Sequence, residues 1–212
     1  MGTAEGQWGK AGGELARLEG QPLGRYRLAV LQGPCNPFGA IYFQVTATRE
    51  EGKEPPALLG LLSRGPYPAH NWVEVLHFSP GDLENEGLLL PLFRHLSALV
   101  PPGGHLMVEY ESPSWSTTRQ ALALGVPPPL TPMGQVLRQI GCERVRDWHI
   151  AEGGREGPRK LIGYKAFNAQ TTSLRRQELE RELREFLAHH PGHHPLEEEA
   201  RRKARLILES PP

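Results

Sequence analysis

Hydrophobic and polar positions along the 212-residue chain change rhythm near residue 72. A glycine-rich lead-in covers 1–24, with one short helical stretch at Gly13–Leu18. Two runs then read as strands, Arg25–Leu31 and Ala40–Thr48. In the second, Ile41, Phe43 and Val45 fall on one face and Tyr42, Gln44 and Thr46 on the other, the period-2 signature of a half-buried strand. The turn GPCNPFG between them predicts an antiparallel hairpin. Two more apolar runs follow, Ala57–Leu62 and Trp72–Phe78, separated by SRGPYPAHN.

Beyond Trp72 the spacing alternates between strand and helix. WVEVLHFS is a strand; after SPGDLENEG, the residues Leu89, Leu92, Phe93, Leu96 and Val100 recur at helical intervals. Pro91 is tolerated only in the first turn of that helix. PPGG ends it and the strand HLMVEYE begins at His105. Strand, helix, strand in this order predicts a parallel pair with a right-handed crossover. A short helix spans Ser116–Leu124. Thr131-Pro132 then supplies an N-cap and a first-turn proline for a helix that buries Met133, Val136, Leu137 and Ile140 and stops at Gly141. CERVRDWHI and KLIGYKAF form a hairpin around AEGGREGPR. After Gln170 the chain is helical. Leu174, Leu179, Leu183, Phe186 and Leu187 make one apolar side, HPGHH interrupts, and Leu196, Ala200, Ala204 and Ile207 line a second helix, giving an αα-hairpin. The expected units are a lead-in (1–24), an α/β domain (25–168) and a helical hairpin (171–210).

From Trp72 to Phe167 the order of elements resembles the second half of the class I methyltransferase fold, carried by WVEVLHFS, LLLPLFRHLSALVPPGG, HLMVEYE, TPMGQVLRQIG and the closing pair CERVRDWHI and KLIGYKAF. The stretch GVPPPLTPMG followed by DWHIAEGGREGPRKL also resembles a family of uncharacterised archaeal and bacterial proteins. The methyltransferase resemblance implies an α/β, Rossmann-like mixed sheet with an altered amino-terminal half. It also implies a small-molecule methyltransferase, or a degenerate relative of one, with S-adenosylmethionine as cofactor. The glycine-rich turn that approaches this cofactor in the resembled family is missing: Gly33 to Gly39 lies between two strands and contains two prolines.

Charge narrows the partners. Twenty-four basic and 24 acidic residues cancel, which argues against nucleic acid and anionic membranes. No apolar run approaches the roughly 20 residues of a membrane span, and the first residues lack a signal-peptide pattern, so a cytoplasmic protein is expected. Cys35 and Cys142 read as reduced thiols.

Ligands of open α/β sheets collect beyond the carboxyl ends of parallel strands. That rule selects Glu109 and Glu111 as catalytic carboxylates, two apart and so on one face, with Ser79 and Asp82 as cofactor-binding residues at the neighbouring strand end. The final hairpin offers Asp147, Glu152, Gly153, Gly154, Arg155 and Lys160 for a small-molecule ligand, with Trp148 beside them. His189, His190, His193 and His194 are good metal donors by type, but Pro191-Gly192 breaks their helical spacing, so no metal site is assigned. The contrasting functional class is a non-catalytic interaction protein that forms a homodimer through its C-terminal helices.

Overall fold

The structure is a computed structural model that describes residues 11–37, 39–48, 57–65, 67–79, 87–110, 115–152 and 155–210. Its centre is one eight-stranded sheet: β1 (Pro22–Leu23), β2 (Tyr26–Cys35), β3 (Ala40–Thr48), β4 (Ala57–Ser63), β5 (Trp72–Ser79), β6 (His105–Glu109), β7 (Cys142–Glu152) and β8 (Arg155–Lys165). They lie in the order β1-β2-β3-β4-β5-β6-β8-β7. Among the described residues the helices α1 (Leu89–Ala98), α2 (Ser116–Ala123), α3 (Pro132–Gln139), α4 (Ala169–His189) and α5 (Pro195–Glu209) accompany them, and residues 11–16 are also helical.

The protein is α/β with a mixed sheet. β5 and β6 are parallel, joined through α1 as the spacing predicts. β2 to β5 form an antiparallel meander, and β8 inserts antiparallel between β6 and β7. Among the described residues only β5 and β6 are parallel neighbours, so the sheet is largely antiparallel and the expected Rossmann-like sheet is not borne out. The meander's strands follow one another with eight residues or fewer between them, fewer than the dozen or so that a parallel crossover needs.

Alternation sorts the strand residues onto two faces. Leu58, Leu62, Val73, Val75, Phe78, Leu106, Val108, Tyr110 and Leu161 meet Leu92, Phe93, Leu96, Met133 and Leu137 of α1 and α3 in the main core. Residues 11–24 are not a loose lead-in: Ala11, Leu15, Leu18 and Leu23 belong to the same core. β2 also runs further than its apolar stretch, through Gln32 to Cys35, with a register shift. The closing hairpin extends likewise, leaving 153–154 as the connection.

Thr131 caps α3 by accepting from the Gly134 N–H at 3.1 Å, with Pro132 at the first helical position. Gly141 follows α3 at φ +94°, where a side chain would be strained. Helices α4 and α5 pack on their own chain, where Leu183, Phe186, Ala200 and Ala204 meet Ala121, Val126 and Leu130 in a second core. Leu174, expected on the buried side of α4, is 56% exposed, and Leu206 of α5 is 52% exposed. Both cysteines are free; burial pushes the Cys142 thiol up to about 12. No described helix is long and apolar enough to cross a membrane.

One glycine shapes the centre of the sheet. A Cβ at Gly60 would sit 2.5 Å from the Glu74 carbonyl oxygen and 2.6 Å from Phe43 Cζ. Gly60→Ala is expected to cost about 2–3 kcal/mol and to lower Tm by roughly 5–10 °C, measured by calorimetry. An unchanged Tm would show that the strands separate more freely than this packing allows.

Candidate functional site: the fork between β5 and β6

The site begins with a change of register. Leu59 of β4 faces His77 of β5, while the next residue, Gly60, faces Val75. The extra residue, Leu76, is a β-bulge, which bends a strand and increases its twist. Pairing between β5 and β6 stops at the same level, at Val75 opposite Val108. Both strands continue. β5 runs on to Ser79 against β4, and β6 runs on against β8 through Glu109 opposite Lys160, extended by the Tyr110 N–H donating to the Arg159 carbonyl at 3.2 Å. Two parallel strands thus part at their carboxyl ends, each held by its other neighbour.

On the sheet face away from α1, a cross-strand row runs Tyr42, Leu61, Glu74, Met107, Ile162 and Arg146. Glu74 is only 6% exposed, in the last pair but one before the fork. Lys160 reaches across β6 to form a salt bridge with Glu74, and its Nζ lies 3.4 Å from Glu109 Oε1. Two carboxylates and one ammonium therefore share the base of the fork. His77 and Ser79 lie further along β5, both exposed.

The face toward α1 is aromatic. Trp115 stacks on Phe78 with ring centroids 5.5 Å apart, and Phe93 of α1 stands edge-on to both rings. Beside them Tyr110 donates to Asp147 Oδ1 at 2.6 Å. Burial first, and this hydrogen bond second, hold the Tyr110 hydroxyl well above its usual range, so it stays protonated.

Helix α1 has unlike ends. At its C-terminus, Lys165 donates to the Ser97 and Val100 carbonyls at 2.6 and 2.8 Å, and Arg64 donates to the Leu99 carbonyl. Two cations there oppose the negative end of the helix dipole. The first turn has no acidic residue, and Leu88 at the N-cap supplies no side-chain cap. The positive end is the one that follows β5.

The sequence-selected residues divide. Glu109 and Lys160 meet at the fork, and Ser79 ends its β5 arm. Asp147 is not with Lys160: it faces Leu161 across the ladder, while Lys160 faces Trp148, so the two point to opposite sides. Asp147 serves Tyr110 instead. Trp148, more often a core residue in a strand, is 42% exposed. Glu111, Asp82, Gly153 and Gly154 lie outside the described residues; Glu152 and Arg155 are placed only as the last pair of the hairpin. Glu74 and Trp115 were not selected. Glu74 had a signal, an acidic residue between valines in WVEVLHFS.

Two other features compete as sites. A cavity of about 410 Å³ lies between β7 and α4, with Glu143, Arg146, Glu182 and Glu185 among its walls and an Arg144–Glu178 salt bridge of 3.3 Å. Its walls mix both signs, and it lies at the sheet edge, away from the parallel strand ends. In the histidine cluster, His194 accepts from the Leu196 N–H at 3.1 Å to cap α5, His190 lies 3.4 Å from Glu197 and packs on Phe186, and His189 bonds the Glu185 carbonyl at 2.8 Å. Three of the four rings thus have structural roles. Among the described residues no group of three or more His, Cys, Asp or Glu is placed to hold a metal ion.

A family profile described as "Protein of unknown function (DUF1122)" matches residues 34–190. No curated protein matches the chain. Among solved structures, the crystal structure of a protein of unknown function, AQ1966 from Aquifex aeolicus VF5, is similar at 26% identity and a TM-score of 0.67. The match covers 96% of this chain and 99% of that one.

Proposed function

The chain belongs to the DUF1122 family, and for this member we propose an acyltransferase that takes its acyl group from a coenzyme A thioester and passes it to an amine. The fork carries the reading: β5 and β6 stop pairing at Val75 and Val108 while both strands continue. A gap between diverging strands suits an extended chain with amides, which can lie there as a strand-like insert and bond to backbone groups. The pantetheine arm of coenzyme A is such a chain and carries two amides. Its diphosphate suits the start of α1, where the helix dipole is positive and no acidic residue stands in the first turn.

The carboxylates at the base of the fork supply the chemistry. An amine attacks the thioester carbonyl, a C–N bond forms and the C–S bond breaks. The nitrogen gives up a proton to Glu74, and that proton passes on to the departing sulfur, which leaves as the free thiol while Glu74 returns to the carboxylate. Lys160 positions Glu74 from one side and Glu109 from the other. The tool for this step is a carboxylate held at a fixed place in a largely buried setting.

Methyl transfer from S-adenosylmethionine is the second reading, favoured by the β5–α1–β6 unit with its β6-β8-β7 ending. Against it stands the antiparallel amino-terminal half, which has no strand-to-helix glycine turn for that cofactor. Calorimetric titration separates the two. Coenzyme A is expected to bind with a Kd of roughly 1–100 μM and S-adenosylmethionine not at all. No heat from coenzyme A at millimolar concentration would remove the acyltransfer reading.

A further inference from the structure

We propose that Trp115 binds the ligand in the fork directly, its indole N–H donating to a carbonyl of the pantetheine arm; this rests on the acyl-coenzyme A reading. Trp115 is 7% exposed, and its Nε1 is buried with no hydrogen-bond partner among the described residues. Buried indole N–H groups nearly always find an acceptor, because a donor taken out of water and left unmet costs free energy. The rings in contact with Trp115, Phe78 and Phe93, offer none.

Its position gives this donor a use. Trp115 follows Tyr110 by five residues, so the β6 arm carries it. Its ring lies on Phe78, three residues beyond the last β5 residue paired with β6. Phe93 brings α1 into the same cluster. The indole therefore touches one arm, is tethered to the other and borders the helix that the diphosphate would approach.

The environment also selects the chemistry. A carbonyl is a flat, uncharged acceptor, and the methylene groups beside it can pack on Phe78. A phosphate against three aromatic rings would lose its water with one donor in return, so the anionic part belongs at the helix start. The acceptor that fits is an amide or thioester oxygen.

The test titrates coenzyme A into wild-type protein and Trp115→Phe by calorimetry, and follows the indole N–H signals of the four tryptophans by NMR. The variant keeps a ring against Phe78 and Phe93 but removes the donor together with part of the indole's volume. Its Tm is expected to stay within a few degrees of the wild type, since the loss of an unmet buried donor offsets the cost of the smaller ring. Trp115→Tyr assigns the same signal should the phenylalanine variant not fold. Coenzyme A is expected to move the Trp115 N–H signal downfield, and Trp115→Phe to weaken binding roughly tenfold. Binding that leaves the signal in place and is equally tight in the variant overturns the role of Trp115 while the acyltransfer reading stands. No binding to the wild type overturns both.

Discussion

Glu74→Gln is expected to reduce acyl transfer to amines by roughly 10²–10⁴-fold, the usual contribution of a positioned general base. Glutamine has almost the shape of glutamate and can still bond to Lys160, but it cannot take a proton. The loss should therefore appear in kcat, while coenzyme A binds as before. Full activity in Glu74→Gln would remove Glu74 from the chemistry and leave Glu109, at the other side of Lys160, as the carboxylate to examine.

Lys160→Met should be the most destabilising single change at the site, at about 3–5 kcal/mol at neutral pH. The side chains of Glu74 and Lys160 are 7% and 13% exposed, so removal of the ammonium strands a desolvated carboxylate beside Glu109. Methionine keeps much of the volume, which makes the cost electrostatic. Glu74→Gln added to Lys160→Met should recover a large part of the loss, because the stranded charge is gone. Denaturant melts of both variants at neutral pH check this; a double variant as unstable as Lys160→Met alone would mean that packing, and not charge, dominates.

Much of this architecture was legible along the chain. The WVEVLHFS–helix–HLMVEYE order produced a parallel pair, Thr131-Pro132 produced a capped helix, and the final hairpin formed from the two runs that announced it. These features depend on periodicity, caps and turns within a few residues of each other. Glu109 and Lys160 were legible as polar groups at strand ends. Glu74 was passed over because it lies inside a strand, where its neighbour is a lysine 86 residues away. Asp147 and Lys160 seemed companions by their nearness in sequence. Pairing across β8 placed them on opposite faces.

Sequence by itself determined most of the helices and strands, the parallel β5–α1–β6 unit and the helical C-terminal pair, since local spacing leaves few alternatives. The tertiary structure alone decided that the amino-terminal strands form an antiparallel meander and that residues 11–24 enter the core. It also decided that β5 and β6 part after Val75. That parting coincides with one extra residue, Leu76, accommodated between the Leu59–His77 and Gly60–Val75 pairs, and such a register is set by packing between segments distant in the chain.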